Sequence, residues 1–249
     1  MQMLVLALDT TTRAGSVALL DGERIVDERA GDGSRTHAER LPAEITSLIE
    51  SHHLTLGDID LYAVASGPGS FTGLRIGIAT IQGLALVHDR RIAAISALEA
   101  IGHLSAAGAV PGTLVAAWMD AHRHEVFSAL YRVSLAEPFS AEHLQELDGP
   151  SVGDPAATLA RWASDHSVLP AVFAGDGAVL YAETIARAAP AARLAPSTLL
   201  AGAIGRLALG REPQGIEPGA MRPLYVRRPD AEIARDEKLR AVEVDHKAH

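Results

Sequence analysis

The chain has 249 residues, 48% of them hydrophobic, and a formal charge of −9 from 22 Lys and Arg against 31 Asp and Glu. With no cysteine, disulfides and thiolate metal sites are excluded, and a reducing cytoplasm is the expected setting. The acidic balance, without a cluster of Lys and Arg, argues against autonomous nucleic-acid binding, so a partner would have to hold any RNA; no apolar run approaches the roughly 18 to 20 residues of a membrane span.

The opening MQMLVLALDTTT lacks a basic lead and a small-residue cleavage site, so it reads as a strand rather than a signal peptide. MLVLALD (3–9), SVALL (16–20) and ERIVDERA (23–30) predict a three-stranded antiparallel meander, with Asp21-Gly22 as a hairpin turn. Thr36 and Glu39 stand at capping-box spacing, and Leu41, Ile45, Leu48 and Ile49 recur with helical period. A helix is expected from about Thr36 to His52, bent near Pro42. LYAVAS (61–66) predicts a short buried strand, then a glycine-rich turn and a helix through about Val87.

A second cycle begins near residue 113. TLVAAWMDA and EVFSALYRV read as two strands, and 148–155 as a Gly/Pro-rich connection. Helix DPAATLARWAS, strand PAVFAG, the turn GDG and helix AVLYAETIARA follow, then a helix near STLLAGAIGRLALG and the segment RPLYVRR. The repeated order predicts two similar α/β lobes, 1–105 and 106–228, with a charged, weakly periodic, mobile tail at 229–249.

The turn ASGPGSFTGLRIG (65–77) is the densest motif. Its glycine spacing fits neither a phosphate-binding P-loop, which also needs a lysine, nor G-x-G-x-x-G, where Thr72 replaces the third glycine. Ser70 can still cap the helix and leave first-turn amides free for an anion. The alternative is packing: Leu74, Ile78, Ile81 and Ala85 trace one stripe of that helix, and Ile76, Thr80, Gly83 and Val87 another. A helix apolar most of the way round is expected to be covered on two sides, by its own sheet and by a partner chain. Gly73 and Gly77 would allow close approach.

LVLALDTTTRAGSVALL, HAERLP, SGPGSFTGLRIG followed by GLAL, MDAHRHEVFSALY, the GDG at 175–177 and PLYVR, in order over residues 3 to 228, resemble the TsaB family. The resemblance implies a two-lobed fold like that of actin, sugar kinases and chaperone ATPases. It also implies a non-catalytic subunit that works with a TsaD-like homologue and a TsaE-like ATPase to place threonylcarbamoyl on N6 of the adenosine beside the tRNA anticodon. TsaD-like subunits hold a metal through His-x-x-x-His; here the stretch is His37-Ala-Glu-Arg-Leu41, so no metal site is expected and His37 reads as a surface or capping contact. Gln82 stands where the family often has lysine, and His124 where it often has glycine.

The resulting expectations name residues. Partner contacts are sought among Leu41, Ile45, Leu48, Gly73, Leu74, Gly77, Ile78 and Ile81, with homodimers through the same patch when the partner is missing. Nucleotide contacts, if the chain makes any, would come from Asp9, Thr10, Thr11, Gly67, Gly69, Ser70 and Asp176, with ATP or ADP at a subunit interface in the complex. Branched Thr10 and Thr11 restrict backbone approach to phosphate, and Asp9 is read mainly as organising the hairpin turn. The competing readings are an active ATPase or phosphotransferase of the same fold, and a metallopeptidase, for which no catalytic set is apparent. His122 and His124 would share a face on a strand but need not converge on a turn.

Overall fold

The computed structural model describes residues 2–195, 198–211 and 215–227. The first three strands, β1 (Leu4–Asp9), β2 (Ser16–Asp21) and β3 (Arg24–Ala30), form the expected meander. Gly22 turns the second hairpin at φ 57°, a left-handed angle that costs glycine nothing. Helix α1 (His37–Ser51) starts where Glu39 reaches back to accept the Thr36 N–H at 2.9 Å and its hydroxyl at 2.7 Å. It continues through Pro42. Strand β4 (Leu61–Gly67), helix α2 (Phe71–Val87), strand β5 (Ile92–Ser96) and helix α3 (Ala97–Ser105) complete the first cycle.

The second cycle repeats it with β6 (Leu114–Asp120), β7 (Val126–Val133), β8 (Leu144–Gly153), α4 (Pro155–His166), β9 (Val172–Ala174), α5 (Asp176–Leu180), α6 (Ala182–Ala188), β10 (Arg193–Leu194) and α7 (Ala201–Leu209). One sheet has the order β3-β2-β1-β4-β5 and the other β8-β7-β6-β9-β10. Each is an antiparallel meander extended by parallel strands, so the two lobes expected from the repeated element order are present. The supposed Gly/Pro-rich connection at 148–155 is mostly strand β8. It lies at a sheet edge and pairs irregularly with β7, which is where Gly149 and Pro150 are tolerated.

The lobe boundary is less simple than a cut at residue 105. Helix α3 follows a strand of the first sheet yet packs against β6, β7 and β9, while α7 follows the second sheet and packs against β1, β2 and β4. Around them, Val5, Ala7 and Leu20 share one buried cluster with Ala117, Tyr131, Ile101 and Ile204. Small side chains on the sheets let the two helices sit close, and the lobes share a core rather than a hinge. Ser16 of β2 accepts the N–H groups of Leu200 (3.3 Å) and Ala201 (3.0 Å), and Glu28 that of Gly202 (2.8 Å). The first lobe thus caps a helix delivered by the second. Residues 215–221 also return to it: Ile216 bridges Ile92, and Met221 lies in the core beneath α1 and α2. The tail assigned to 229–249 falls outside the described residues.

Candidate functional site

Two connected clefts open between the lobes. The smaller, about 560 Å³, is lined by Asp9, Gly15, Ser105, Asp176 and Arg193 among others. The larger, about 990 Å³, runs past Arg13, Ser34, Ser70, Phe71, His122 and Tyr225. Both include Thr12 and Asp176, so the β1–β2 hairpin tip forms their common edge.

Beyond the buried Thr10 hydroxyl, which has no partner, that hairpin is held by its own hydrogen bonds. The Asp9 carboxylate accepts the Thr11 N–H at 2.8 Å and its hydroxyl at 2.6 Å, and Thr12 Oγ1 accepts the Gly15 N–H at 3.1 Å. A Cβ on Gly15 would strike the Asp9 carbonyl. Asp176 accepts the amides of Asp120 (3.1 Å) and Gly177 (2.8 Å), pinning the start of α5 to the end of β6. Burial pushes both carboxyls above the usual range against these hydrogen bonds, and the Asp176 charge raises Asp9 further.

A nucleotide, as the resemblance leads one to expect, would meet groups here that do not fit phosphate at the hairpin. The Thr11 amide and hydroxyl already serve Asp9, and two mutually repelling carboxylates line the cleft where a triphosphate would add like charge. No group of three His, Cys, Asp or Glu able to hold a metal occurs among the described residues.

The glycine turn is occupied by the chain itself. Ser70 donates its N–H to the Thr11 carbonyl at 2.8 Å and caps α2 by accepting the Gly73 N–H at 3.2 Å. Side chains added at Gly69 would meet Thr11, and at Gly73 and Gly77 the carbonyl and hydroxyl of Thr10. Gly67, at φ 120°, leaves room for the carbonyl of Leu224, whose N–H donates to Ser66 at 2.7 Å. Beyond it, Tyr225 stacks on Phe71 with ring centroids 5.1 Å apart and accepts a hydrogen bond from Arg75 Nε at 3.1 Å. Arg227 then donates to the Ala121 carbonyl at 2.6 Å and pairs with Glu125. The PLYVR stretch therefore straps one lobe to the other.

Burial sorts the faces of α2. Leu74, Ile78, Ile81 and Ala85 are enclosed beneath the first sheet, together with Leu41, Ile45 and Leu48 of α1, and Gly73 and Gly77 are closed by the hairpin. The contact residues expected at a partner surface are thus core in this chain. The stripe on the other side stays open: Leu86 is 73% and Val87 77% exposed, Ala79 and Gly83 are exposed, and nothing lies within 4 Å of a Cβ on Gly83. Gln82 donates its amide to the Pro218 carbonyl at 2.7 Å, an intrachain role.

Two further expectations change. His37 is buried rather than a surface contact: its Nε2 lies 3.0 Å from the Thr12 carbonyl and its Nδ1 2.8 Å from an Arg40 nitrogen. Burial lowers its pKa, against the Thr12 hydrogen bond and with the help of the Arg40 charge. His122 and His124 sit on the β6–β7 turn, where His122, Arg123 and His124 all take left-handed φ of 57°, 54° and 62°. Sequence reasoning passed over Arg40 altogether, because an Arg on a helix is ordinarily solvated.

A family model described as "TsaD: tRNA N6-adenosine threonylcarbamoyltransferase" matches residues 31–234. The chain is 39% identical over 140 residues to the tRNA threonylcarbamoyladenosine biosynthesis protein TsaB of Haemophilus influenzae, covering 55% of this chain and 58% of that one. The chain belongs to the family of that model, and it is similar to proteins named TsaB. An uncharacterized protein of Mycobacterium tuberculosis is 30% identical over 229 residues, 91% of this chain and 93% of its own length. A crystal structure from Pseudomonas aeruginosa, described as an uncharacterized protein with similarity to peptidase YEAZ, superposes with a TM-score of 0.72 at 28% identity, covering 91% of this chain and all of the other. The chain spans a little over half the length of the named TsaB relative. In this chain the phrase GPGSFTGLRIG is the turn that seats Thr10 and Thr11. Among the described residues, no helix is long and apolar enough to cross a membrane.

Proposed function

We propose that the chain is an assembly subunit in tRNA threonylcarbamoyladenosine biosynthesis. It pairs with a TsaD-like homologue, alongside a TsaE-like ATPase, and contributes no reacting group. The observation that carries this reading is the open stripe of α2, Thr72, Ala79, Gly83, Leu86 and Val87, with Pro42 and Ala43 exposed on α1. Small side chains allow a second pair of helices to come close, and the apolar ones supply a reason to stay. An interface of ordinary size, about 1,600 Å² in total, is enough for specific pairing. The same stripe would support homodimers in isolation. tRNA would be held by the complex, consistent with the net charge of −9, and any ATP or ADP would lie at a subunit boundary rather than on this chain's hairpin.

The test is reconstitution. The chain, its TsaD-like and TsaE-like partners and tRNA should yield modified adenosine, with yield collapsing when the chain is left out or carries Gly83→Trp. Undiminished modification without the chain would end this reading. The rival ATPase reading predicts Mg-ATP binding and turnover by the isolated chain, measurable by calorimetry and phosphate release.

A further inference from the structure

We infer that the smaller cleft binds an elongated zwitterion, with its ammonium end at Asp9 and Asp176 and its carboxylate end at Arg193. The cleft is separate from the open face of α2, and the inference is independent of the proposed assembly role.

The fold uses only half of each carboxyl. Both hydrogen bonds to Asp9, from the Thr11 N–H and hydroxyl, reach Oδ1, and the amides of Asp120 and Gly177 likewise reach Oδ1 of Asp176. Among the described residues, the second oxygen of each accepts from no other residue, although Asp9 is only 3% exposed. Neither side chain enters an ion pair there. Burying a carboxylate without a cation is costly, and the mutual repulsion of Asp9 and Asp176 adds to the cost. An ammonium group relieves it, because its three N–H donors can serve both of these oxygens.

Arg193 lines the same cleft and has no carboxylate partner among the described residues; its Nη2 reaches the Ser105 carbonyl at 3.4 Å. Sheet register keeps these opposite charges from neutralising one another. Strand β10 runs parallel to β9 with Arg193 beside Val172, three residues before Gly175, which is roughly 10 Å at the rise of a strand. Ile101 and Leu104 of α3, Met119 of β6 and Leu200 add apolar lining. A cleft of about 560 Å³ with unlike charges held apart and an apolar wall is complementary to a methylene chain that carries both charges. A phosphate chain would set its own charge against the carboxylates, and a plain alkylamine would leave Arg193 unanswered.

The probe is ε-aminocaproate, titrated calorimetrically into the full chain, with hexylamine and caproate as controls that carry one charge each. The native chain should bind the zwitterion at least about tenfold more tightly than either control. Asp176→Asn keeps an acceptor for the Asp120 and Gly177 amides and removes the charge, whereas Arg193→Met keeps an apolar stem and removes the guanidinium. Each should weaken ε-aminocaproate binding at least about tenfold, the first without weakening caproate and the second without weakening hexylamine. Should Asp176→Asn fail to fold, Arg193→Met decides alone, since Arg193 is exposed and its loss leaves the core intact. No saturable binding of ε-aminocaproate by the native chain, equal binding of all three probes, or affinity that survives Arg193→Met overturns the inference.

Discussion

Thr10 lies directly against Gly77, its buried hydroxyl and methyl occupying the space a side chain at that helix position would need. The glycines of α2 therefore serve the chain's own hairpin. Gly77→Ala should gain up to about 1 kcal/mol of helix propensity but lose more by overpacking a β-branched side chain, for a net cost of about 1 to 2 kcal/mol. Thr10→Ser in the same chain should return part of it. Urea unfolding of the two singles and the double gives the coupling.

Gly83 supplies the contrast. With nothing within 4 Å of its Cβ position, Gly83→Ala should stabilise the free chain by about 0.5 to 1 kcal/mol. A loss of stability would mean that this stretch of the helix is covered after all.

The β6–β7 turn carries three consecutive non-glycine residues in the left-handed region. Relief of that strain at one position, less the extra freedom glycine has when unfolded, predicts that His124→Gly raises stability by up to about 1 kcal/mol. Thermal unfolding with a rise of a few degrees is the expected readout.

His103 faces His143 at 5.6 Å between ring centroids, with Phe139 stacked on it and Arg211 nearby. Burial, then the two neighbouring cations or potential cations, lowers its pKa to about 4 from 6.5. The folded state resists protonation that the unfolded chain accepts below pH 6.5. The stabilising contribution is therefore complete above that pH and is lost as pH falls toward 4, about 3 kcal/mol in all. The stability difference between the native chain and His103→Phe should shift by that amount between pH 7 and pH 4, in urea titrations at matched ionic strength.

Much of the fold was readable because its signals were local. The Asp21-Gly22 turn, the Thr36 and Glu39 capping box and the apolar runs each specify their own element. Strand β8 was not, because Gly149 and Pro150 look like a loop unless the strand is known to be an edge. The segment Ile92–Ser105 carries too short an apolar strand to stand out before its helix. At the candidate site, two apolar stripes on α2 were visible, yet the pattern could not say which faced the sheet. Burial of Leu74 and Ile78, with exposure of Leu86 and Val87, is a tertiary fact. The burial of His37 and Arg40 is hidden for the same reason: the hairpin that covers them is distant in sequence.

The central claim is that the open face of α2 receives a TsaD-like subunit. Its most direct test is calorimetric titration of that subunit into the native chain and into a Leu86→Glu, Val87→Glu variant whose melting temperature and circular dichroism match the native chain. Affinity should fall at least tenfold, as expected when an apolar interface centre gains charge. Binding at native affinity would contradict the account.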